Sequence, residues 1–342
     1  MEIQATPESA SKGAGAKCPV RQYFAPMPRL RHLLLLLPAA LRLVLAYVRA
    51  YVYWAAAAPA MLRSMGAQGP SQRELARMRH YHYGSTYLAA LFEAHMGRRR
   101  TSQERAAFFW LAALAASFDD LSEGAPQHPD GGSPEDFGAA HDARGLSLHL
   151  LQRVRRGLPL SSGPTFERHL AEVFEAETSA SAAGGLKPPS IQALIEKSAR
   201  KGGASVLLFR SLLADEAKPE ERMLWQGLGA LIQHTDDLFD LWHDVQAGIS
   251  TPATHWAAQN DLLAMHHQAR QLAEPVLGSA GRAYGEAYFL VALMRVCLRH
   301  YAHLQERRGC LPLAERRLMV VDMERWPNRL RMVAELLTGR GA

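Results

Sequence analysis

The chain has 342 residues and 48% hydrophobic content, which is enough for a sizeable core in one large domain or two. Its formal charge is +6 and its arginines concentrate near both ends, a distribution that favours anionic ligands. No nucleic-acid-binding motif accompanies them, and the three cysteines lack the spacing of a metal site. We therefore expect no nucleic-acid partner and a reducing compartment, the cytoplasm.

The chain is predicted to have three parts. Residues 1–25 are rich in Ala, Ser, Gly and Pro without a hydrophobic period, and are predicted to be disordered. Residues 26–65 form an apolar helical extension interrupted by arginines, and residues 66–342 form the main domain.

The segment 33–62 within the extension is apolar and long enough to span a bilayer. Pro38, Arg42 and Arg49 interrupt it, and an arginine near the middle of a membrane costs about 2.5–3.5 kcal/mol. Since Arg42 and Arg49 are seven residues apart, they share one helix face and leave a broad apolar face opposite. We expect a helix that covers the core or lies at a membrane interface, in preference to a span.

The remaining sequence indicates helices joined by short connections, with no alternating run that argues for a strand. Thr101 and Glu104 form a capping box, Ser190 follows two prolines as an N-cap, and Pro219 begins a helix that extends to Gly248. Further helices are predicted over 70–96, 145–157, 165–183, 256–275, 279–307 and 312–339. The predicted fold class is all-α, a helical bundle larger than four helices.

A first acidic cluster ends one of these apolar helices. Asp119 and Glu123 are four residues apart and share a helix face, with Asp120 beside them. Aspartate is a poor helix former, and an acidic side chain costs several kcal/mol to bury unless a cation neutralises it. The cluster therefore favours a cation site.

A second acidic cluster lies in the helix that begins at Pro219. Asp236, Asp240 and Asp244 recur every four residues and share one face, with Asp237 in support. Three like charges in a row repel one another, and hard carboxylate oxygens suit Mg²⁺. Two such acidic faces opposite each other could hold Mg²⁺ ions that clamp a diphosphate. The alternative interpretation is a pair of solvated acidic helix faces.

At this point the sequence resembles a known family. An Asp-Asp-x-x-(Asp/Glu) motif followed later by a second acidic motif is similar to the class I isoprenoid synthase superfamily. The second motif, Gln233-x-x-Asp236-Asp237-x-x-Asp240, resembles that of trans-polyprenyl diphosphate synthases. The resemblance implies an isoprenoid synthase-type helical bundle with a central active-site cavity, and a cluster of up to three Mg²⁺ ions.

The same stretch also resembles two other branches of this superfamily. Asp240-x-x-x-Asp244-x-x-x-Gly248 is similar to the second motif of squalene and phytoene synthases, and the four-residue spacing of the aspartates parallels the metal triad of terpene cyclases. The branch therefore stays open between polyprenyl synthase, squalene-phytoene synthase and terpene cyclase.

Cationic partners for a diphosphate are predicted on the preceding helix. Lys197 and Lys201 are four residues apart, Arg200 lies beside them, and Gln233 is expected to contribute from the second motif. Residues 202–203 are both glycine, which would weaken the helix there and expose backbone N–H groups to an anion. In polyprenyl synthases a diphosphate-binding lysine occupies this region.

Two features of polyprenyl synthases are missing from the sequence. No Gly-Lys-Arg motif lies well upstream of the first cluster, and no Arg-Arg pair follows it. These departures argue against an isopentenyl diphosphate site, so cyclisation, head-to-head coupling or transfer to another acceptor gain weight over chain elongation.

Small residues precede the first cluster. Ala112, Ala115 and Ala116 lie one or two turns before Asp119, which predicts a roomy cavity for a long or bulky isoprenoid. The other interpretation is that alanine simply permits close helix packing.

The sequence as a whole predicts a Mg²⁺-dependent enzyme that ionises a prenyl diphosphate. Asp119, Asp120, Asp236 and Asp240 would carry the chemistry; the metal ligands would be Asp119, Asp120, Glu123, Asp236, Asp237, Asp240 and Asp244. Lys197, Arg200, Lys201 and Gln233 would bind the diphosphate. Two alternatives are a non-catalytic protein of the same fold that binds an isoprenoid or a membrane, and a helical phosphohydrolase. Peripheral membrane contact through residues 33–62 and a homodimer complete the predictions.

Overall fold

The computed structural model describes residues 29–65, 70–124, 141–158, 162–181, 190–259, 261–308, 331, 332 and 334. These residues are overwhelmingly helical and contain no strand, which confirms the all-α prediction for the part of the chain described. The segment predicted to be disordered (1–25) and most of the helix predicted over 312–339 lie outside these residues.

The helices follow one another with short connections. In chain order they are α1 (Arg29–Met65), α2 (Gln72–Met96), α3 (Ser102–Gly124), α4 (His141–Gly157), α5 (Gly163–Ser181), α6 (Ile191–Arg210), α7 (Pro219–Phe239), α8 (Leu241–Ala247), α9 (Pro252–Gln259), α10 (Leu262–Ser279) and α11 (Tyr284–Arg308), with a 3₁₀ turn at Gly281–Ala283 before α11.

Three predicted helix starts are confirmed. The Thr101 backbone N–H donates to the Glu104 carboxylate at 2.7 Å, and the Glu104 N–H donates to the Thr101 hydroxyl at 3.1 Å, which completes the capping box. Ser190 accepts from the Ala193 N–H at 3.2 Å at the start of α6. Pro219 begins α7, where the missing N–H of proline has no cost.

The helix predicted to run as far as Gly248 is divided at Asp240. This residue leaves helical geometry (φ −89°, ψ 3°) and separates α7 from α8. The break falls where neighbouring acids repel and where aspartate has low helix propensity. The Asp240 N–H nevertheless donates to the Asp236 carbonyl at 2.8 Å, and the Asp244 N–H to the Asp240 carbonyl at 3.0 Å. The four-residue register of the acids is therefore kept across the junction.

A second predicted helix is also divided. The segment 256–275 falls in both α9 and α10, because Asp261 caps a new helix by accepting from the Ala264 N–H at 2.9 Å. The segments predicted over 70–96, 145–157 and 165–183 correspond to α2, α4 and α5 with small shifts of their ends.

The core lies where α2, α3, α6, α7 and α11 meet. Phe92, Phe108, Trp225 and Tyr288 are among its largest fully buried side chains. The Phe92 and Trp225 rings are 4.7 Å apart in a T-shaped arrangement, and Phe108 lies 5.4 Å from Phe209. Such aromatic pairs contribute about 0.5–1.5 kcal/mol each beyond their burial.

Glycine allows α6 and α7 to approach each other closely. A Cβ atom at Gly202 would lie 2.2 Å from the Gly229 carbonyl oxygen, and one at Gly229 would lie 2.2 Å from the Gly202 carbonyl oxygen. The predicted weakening of the helix at residues 202–203 is wrong, because α6 runs unbroken through them and both glycines are buried. Their role is to let two backbones touch.

Helix α1 lies along the bundle with one face buried. Its buried residues are Leu36, Ala39, Leu43, Ala58 and Met61. The Arg42 guanidinium donates to the Glu286 carboxylate of α11 at 2.5 Å, and Glu286 is fully buried. A Cβ atom at neighbouring Gly285 would meet Ala39 at 3.3 Å, so α1 and α11 are in close contact.

The other side of α1 is apolar and exposed. We call this surface the α1 apolar face; its residues are Leu34, Leu37, Leu41, Val44, Leu45, Tyr47, Val48, Tyr51 and Val52. By length and composition Leu34–Met61 could cross a membrane, and only 17% of its most apolar stretch is buried in the protein. The predicted broad apolar face thus exists, and it points away from the core.

Candidate functional site

A cavity of about 480 Å³ lies among helices α2 to α8. Its volume falls within the range of small-molecule sites, about 300–1,000 Å³. Helices α6, α7 and α8 contribute its charged residues, and α3, α4 and α5 contribute mainly apolar ones. The apolar lining consists of Leu111, Leu114, Ala115, Phe118, Leu148, Leu151, Leu170, Val173, Phe174, Leu208 and Phe209.

The second acidic cluster lines this cavity. Asp236 and Asp237 come from the last turns of α7, Asp240 from the junction, and Asp244 from α8. The structure therefore brings together the four carboxylates that the sequence placed on one wall. Their role as metal ligands stays a prediction.

Asp237 is held in place by two hydrogen bonds. It is buried, and its carboxylate accepts from the Ser198 hydroxyl at 2.8 Å and from the Gln233 amide at 3.0 Å. Burial raises the pKa of Asp237, while these two hydrogen bonds and the charges of Lys201 and Lys197 oppose the rise. The close α6–α7 crossing makes the Ser198 contact, whereas the Gln233 hydrogen bond lies within α7, one turn from Asp237.

Asp236 and Asp244 are less well neutralised. Asp236 is open to the cavity but enclosed by protein around it, and this enclosure together with the charges of Asp240 and Asp237 raises its pKa to about 7. Burial followed by the charges of Asp237 and Asp240 raises the pKa of Asp244 to about 7 as well. The positive charge of Lys201 opposes both shifts without cancelling them. An added cation would therefore favour the ionised carboxylates.

The predicted diphosphate-binding residues fall into two groups. Lys201 and Gln233 line the cavity, and Lys197 lies one turn from Lys201 on the same helix, with its charge acting on Asp237. Arg200 is not among the lining residues; it forms an exposed ion pair with Glu175 of α5 at 2.6 Å. The structure thus supports a cationic side of the cavity that consists of lysine, not arginine.

The first acidic cluster is carried by the helix that borders the cavity. Asp119, Asp120 and Glu123 lie in the last turns of α3, and their side chains are outside the described part of the structure. Ala115 and Phe118 of the same helix line the cavity. Of the three alanines predicted to line the approach, Ala115 does so, whereas Ala112 and Ala116 are buried in packing contacts.

The carboxylates that line the cavity are of the kind that binds Mg²⁺ in proteins. Among the described residues, no three His, Cys, Asp or Glu side chains converge into a ready-made ligand group. Mg²⁺ usually takes only one or two protein carboxylates and completes its octahedron with water and substrate oxygens. The raised pKa values of Asp236 and Asp244 show carboxyls whose ionised forms lack sufficient positive charge nearby. The chemistry of this donor set therefore fits the ion.

Tyr301 lies behind the acidic wall, whereas His234 belongs to a neighbouring helix contact. The buried Tyr301 hydroxyl donates to the Leu238 carbonyl at 2.6 Å, which satisfies a backbone group freed where α7 ends. His234 is buried against Trp256, and its burial lowers its pKa to about 4. The backbone hydrogen bond of His234 is with Met265, so this histidine belongs to the α7–α10 contact.

Ser198 is a site residue that the sequence interpretation missed. It fixes the carboxylate of Asp237 and lies on the same face of α6 as Lys201 and Ser205, at spacings of three and seven residues. That spacing was the available signal. It has little weight alone, because a serine next to lysine and arginine is common on solvated helix faces.

A smaller cavity of about 80 Å³ lies beside Arg210, away from the acidic wall. Arg210 is buried and donates to the Asp215 carbonyl at 2.5 Å and to Glu221 at 3.1 Å. The space could hold a few water molecules at about 30 Å³ each, but it is too small for an organic substrate.

No protein-family model matches the chain, and comparisons with curated proteins and with solved structures also give no match. The resemblance of the acidic motifs to isoprenoid synthases is therefore still a prediction from the sequence.

Proposed function

We propose that the protein is a Mg²⁺-dependent enzyme that ionises a prenyl diphosphate in the cavity among α2 to α8. The observation that carries the proposal is that one cavity combines four aspartates and Lys201 with a lining of Leu, Val and Phe side chains. A prenyl diphosphate has the same division into a highly charged head and a long apolar tail. If these acids were only part of a solvated helix face, we would not expect them to border an apolar cavity.

The charged helices would receive the head of the substrate. Asp236, Asp240 and Asp244 would hold Mg²⁺ together with Asp119, Asp120 and Glu123 of α3, and Asp237 would support them. The bound ions would neutralise negative charge on the diphosphate as it leaves. Lys201 and Lys197 would bind the diphosphate oxygens directly as compact cations.

Several residues of the chain fix this arrangement before substrate binds. Ser198 and Gln233 hold the Asp237 carboxylate from two helices, and the contact between Gly202 and Gly229 sets how close those helices are. Groups held in place in this way need little reorganisation during the reaction. Gln233 is then a positioning residue for Asp237 as well as a candidate ligand of the diphosphate.

The reaction would begin with heterolysis of the allylic C–O bond. Both electrons of that bond leave with the diphosphate, and the carbon becomes an allylic cation. The apolar lining from α3, α4 and α5 would shield this cation from water, and the faces of Phe118 and Phe174, whose rings lie 5.8 Å apart, could stabilise it. Capture by a second prenyl chain, by another acceptor or by a double bond of the same chain would give coupling, transfer or cyclisation. The cation formed by capture would then lose a proton to the departed diphosphate, which leaves a neutral product.

The first experiment measures diphosphate release. The purified protein is incubated with Mg²⁺ and geranyl, farnesyl or geranylgeranyl diphosphate, with and without isopentenyl diphosphate. We expect release that Asp236→Ala and Asp119→Ala each lower by at least about 100-fold. Arg200→Ala is the matched control, because this residue is charged and adjacent to Lys201 but pairs outside the cavity. Release that survives both aspartate changes would overturn the proposal.

The second experiment tests the cavity as the site of the prenyl chain. Ala115→Phe would fill space beside Phe118, and we expect it to shift the accepted substrates or the products to shorter chains. Leu148→Ala, in the part of the lining that α4 contributes, should shift them to longer ones. An unchanged range in both variants would contradict the assignment of this cavity to the chain.

The same assay decides between the enzyme and its main alternative. A protein that binds prenyl diphosphates in a calorimeter but releases no diphosphate with any of them would be a non-catalytic isoprenoid-binding protein. Release that requires isopentenyl diphosphate would restore chain elongation.

A further inference from the structure

We propose that the α1 apolar face docks the protein onto the surface of an anionic lipid bilayer, with α1 lying in the plane of the interface. This inference concerns where the protein works and does not depend on the chemistry of the cavity. It requires three things: an exposed apolar surface, a charge pattern that suits anionic headgroups, and a helix that stays attached to the bundle.

The first requirement is an apolar surface of sufficient size. The α1 apolar face runs from Leu34 to Val52, a length of about 27 Å along the helix. Leu41 and Val48 near its centre are 59% and 55% exposed. Elsewhere, the described part of the chain exposes large apolar side chains only singly, at Leu148, Met223, Ile249 and Leu263. Contiguous apolar surface of this kind marks an interaction site on a protein that is otherwise polar outside.

The second requirement is charge. The sequence has no Asp or Glu between Glu8 and Glu74, so the formal charges that α1 itself carries are all basic. Arg49 and Arg63 are exposed on α1. Arginines that flank an apolar face are attracted to anionic headgroups while the aliphatic side chains enter the boundary with the acyl chains.

The charge pattern also weighs against a second copy of the chain as the occupant. In a symmetric contact each α1 would meet the same face of its partner, which carries arginine and no acid. Such a contact would bring like charges together without compensation.

The third requirement separates docking from spanning. A span would free α1 from the bundle and expose Leu36, Ala39 and Leu43 to lipid. It would also remove Arg42 from Glu286 and so break the ion pair that joins α1 to α11. A helix that lies flat keeps this ion pair and its buried face, and presents only the α1 apolar face to lipid.

The test is flotation of the full-length protein with vesicles. We expect flotation with vesicles of phosphatidylglycerol and phosphatidylcholine, and little with phosphatidylcholine alone. Leu41→Glu combined with Val48→Glu should lower the partition coefficient more than about tenfold. Arg49→Gln combined with Arg63→Gln should lower it by about fivefold for each arginine removed. Met223→Glu, at a 74% exposed position outside the face, is the matched control and should bind as the wild type does.

The wild-type protein gives an independent measurement that requires no substitution. Salt of about 0.5 M should release it from anionic vesicles, since the headgroup attraction is screened. Flotation that is unchanged in the Leu41→Glu/Val48→Glu variant would overturn the proposal, and so would equal flotation with neutral vesicles. A stable dimer that the same variant converts to monomer, with no flotation of either protein, would assign the face to a second copy instead.

Discussion

Glu104 and the acidic wall of the cavity are two groups of carboxylates that the fold treats in opposite ways. Glu104 is almost fully buried, yet its charge is completely compensated. Its carboxylate accepts two hydrogen bonds from the Arg98 guanidinium at 2.9 Å, one from the Thr101 N–H at 2.7 Å and one from the Ala214 N–H at 3.1 Å. Burial alone would raise its pKa, but these donors lower the pKa of Glu104 to about 2.

The acidic wall of the cavity lacks such compensation. Burial and mutual repulsion raise the pKa values of Asp236 and Asp244 to about 7, and the nearby Lys201 does not reverse the shift. The fold compensates Glu104 with its own donors. The acidic wall keeps raised pKa values, as our proposed function expects of carboxylates that would bind a cation.

The largest effect is expected from Glu104. Glu104→Ala would remove the capping box of α3, leave the Ala214 N–H without its acceptor, and leave Asp215 as the carboxylate partner of the Arg98 guanidinium. We expect the free energy of unfolding to fall by about 3–5 kcal/mol, measured by urea denaturation. Arg200→Ala breaks only an exposed ion pair and should cost less than about 1 kcal/mol. Equal losses in the two variants would remove the distinction between buried and exposed acids on which the comparison depends.

The next largest loss of stability is expected at the crossing of α6 and α7, which brings Ser198 to Asp237. In Gly202→Ala the new Cβ would lie 2.2 Å from the Gly229 carbonyl oxygen, a backbone atom that cannot move alone. We expect a loss of about 3 kcal/mol in the free energy of unfolding from overpacking. Gly203→Ala is the control, because its Cβ would meet Gln226 at an ordinary 3.4 Å. If both variants unfold at the same denaturant concentration, the close approach is not what holds the two helices together.

The capping box at Glu104 and the glycine contact between α6 and α7 also show which parts of the fold the sequence can predict. The capping box at Thr101 and Glu104, the N-cap at Ser190 and the start at Pro219 depend on residues within one turn of each other, and all were predicted. The glycines at 202 and 203 were misread as a weak point. Local propensity penalises glycine in a helix, while the contact that justifies it comes from Gly229 on another helix.

The residues of the cavity show the same difference between features set by local sequence and features set by contacts with another helix. The spacing of Asp236, Asp240 and Asp244 predicted a shared wall, and the cavity contains all three. Arg200 was grouped with Lys201 because they are neighbours in sequence. Its position is decided by Glu175, which only the packing of α5 against α6 brings within reach. The break at Asp240 was equally hidden, since the backbone hydrogen bonds keep the four-residue register across it.

Substitution in the acidic wall should raise the free energy of unfolding, whereas substitution of Glu104 should lower it. Asp236→Asn combined with Asp244→Asn removes two repelling charges from the acidic wall. We expect the free energy of unfolding without Mg²⁺ to rise by roughly 1 kcal/mol, allowing for solvent in the cavity. Added Mg²⁺ should stabilise the wild type and leave the double variant unchanged, measured as a shift in Tm. A double variant that is less stable than the wild type without Mg²⁺ would place these aspartates with Glu104 as structural acids.

The pH dependence of that gain has a defined sign. The folded protein holds protons on Asp236 and Asp244 up to about pH 7, whereas the unfolded chain releases them near the ordinary value of 3.8. Their destabilising effect therefore appears as pH rises through this window, and the gain from the double substitution should be larger at about pH 8 than at about pH 5. Burial lowers the pKa values of His234 and His266 to about 4, which gives the opposite slope between about pH 4 and 6.5. The difference between wild type and variant removes this shared contribution.

The smallest effect is expected at the second partner of Arg98. Asp215 accepts from the same guanidinium at 2.8 Å, but its side chain is 65% exposed, whereas that of Glu104 is 2% exposed. Asp215→Ala should lower the free energy of unfolding by less than about 1 kcal/mol, because water replaces the lost acceptor. Two acids on one arginine thus provide an internal control in which the partner is the same and burial differs. If Asp215→Ala lost as much stability as Glu104→Ala, the arginine, and not enclosure of the acid, would determine the loss. The contrast with the acidic wall would then have to be explained only by the number of cations near each acid.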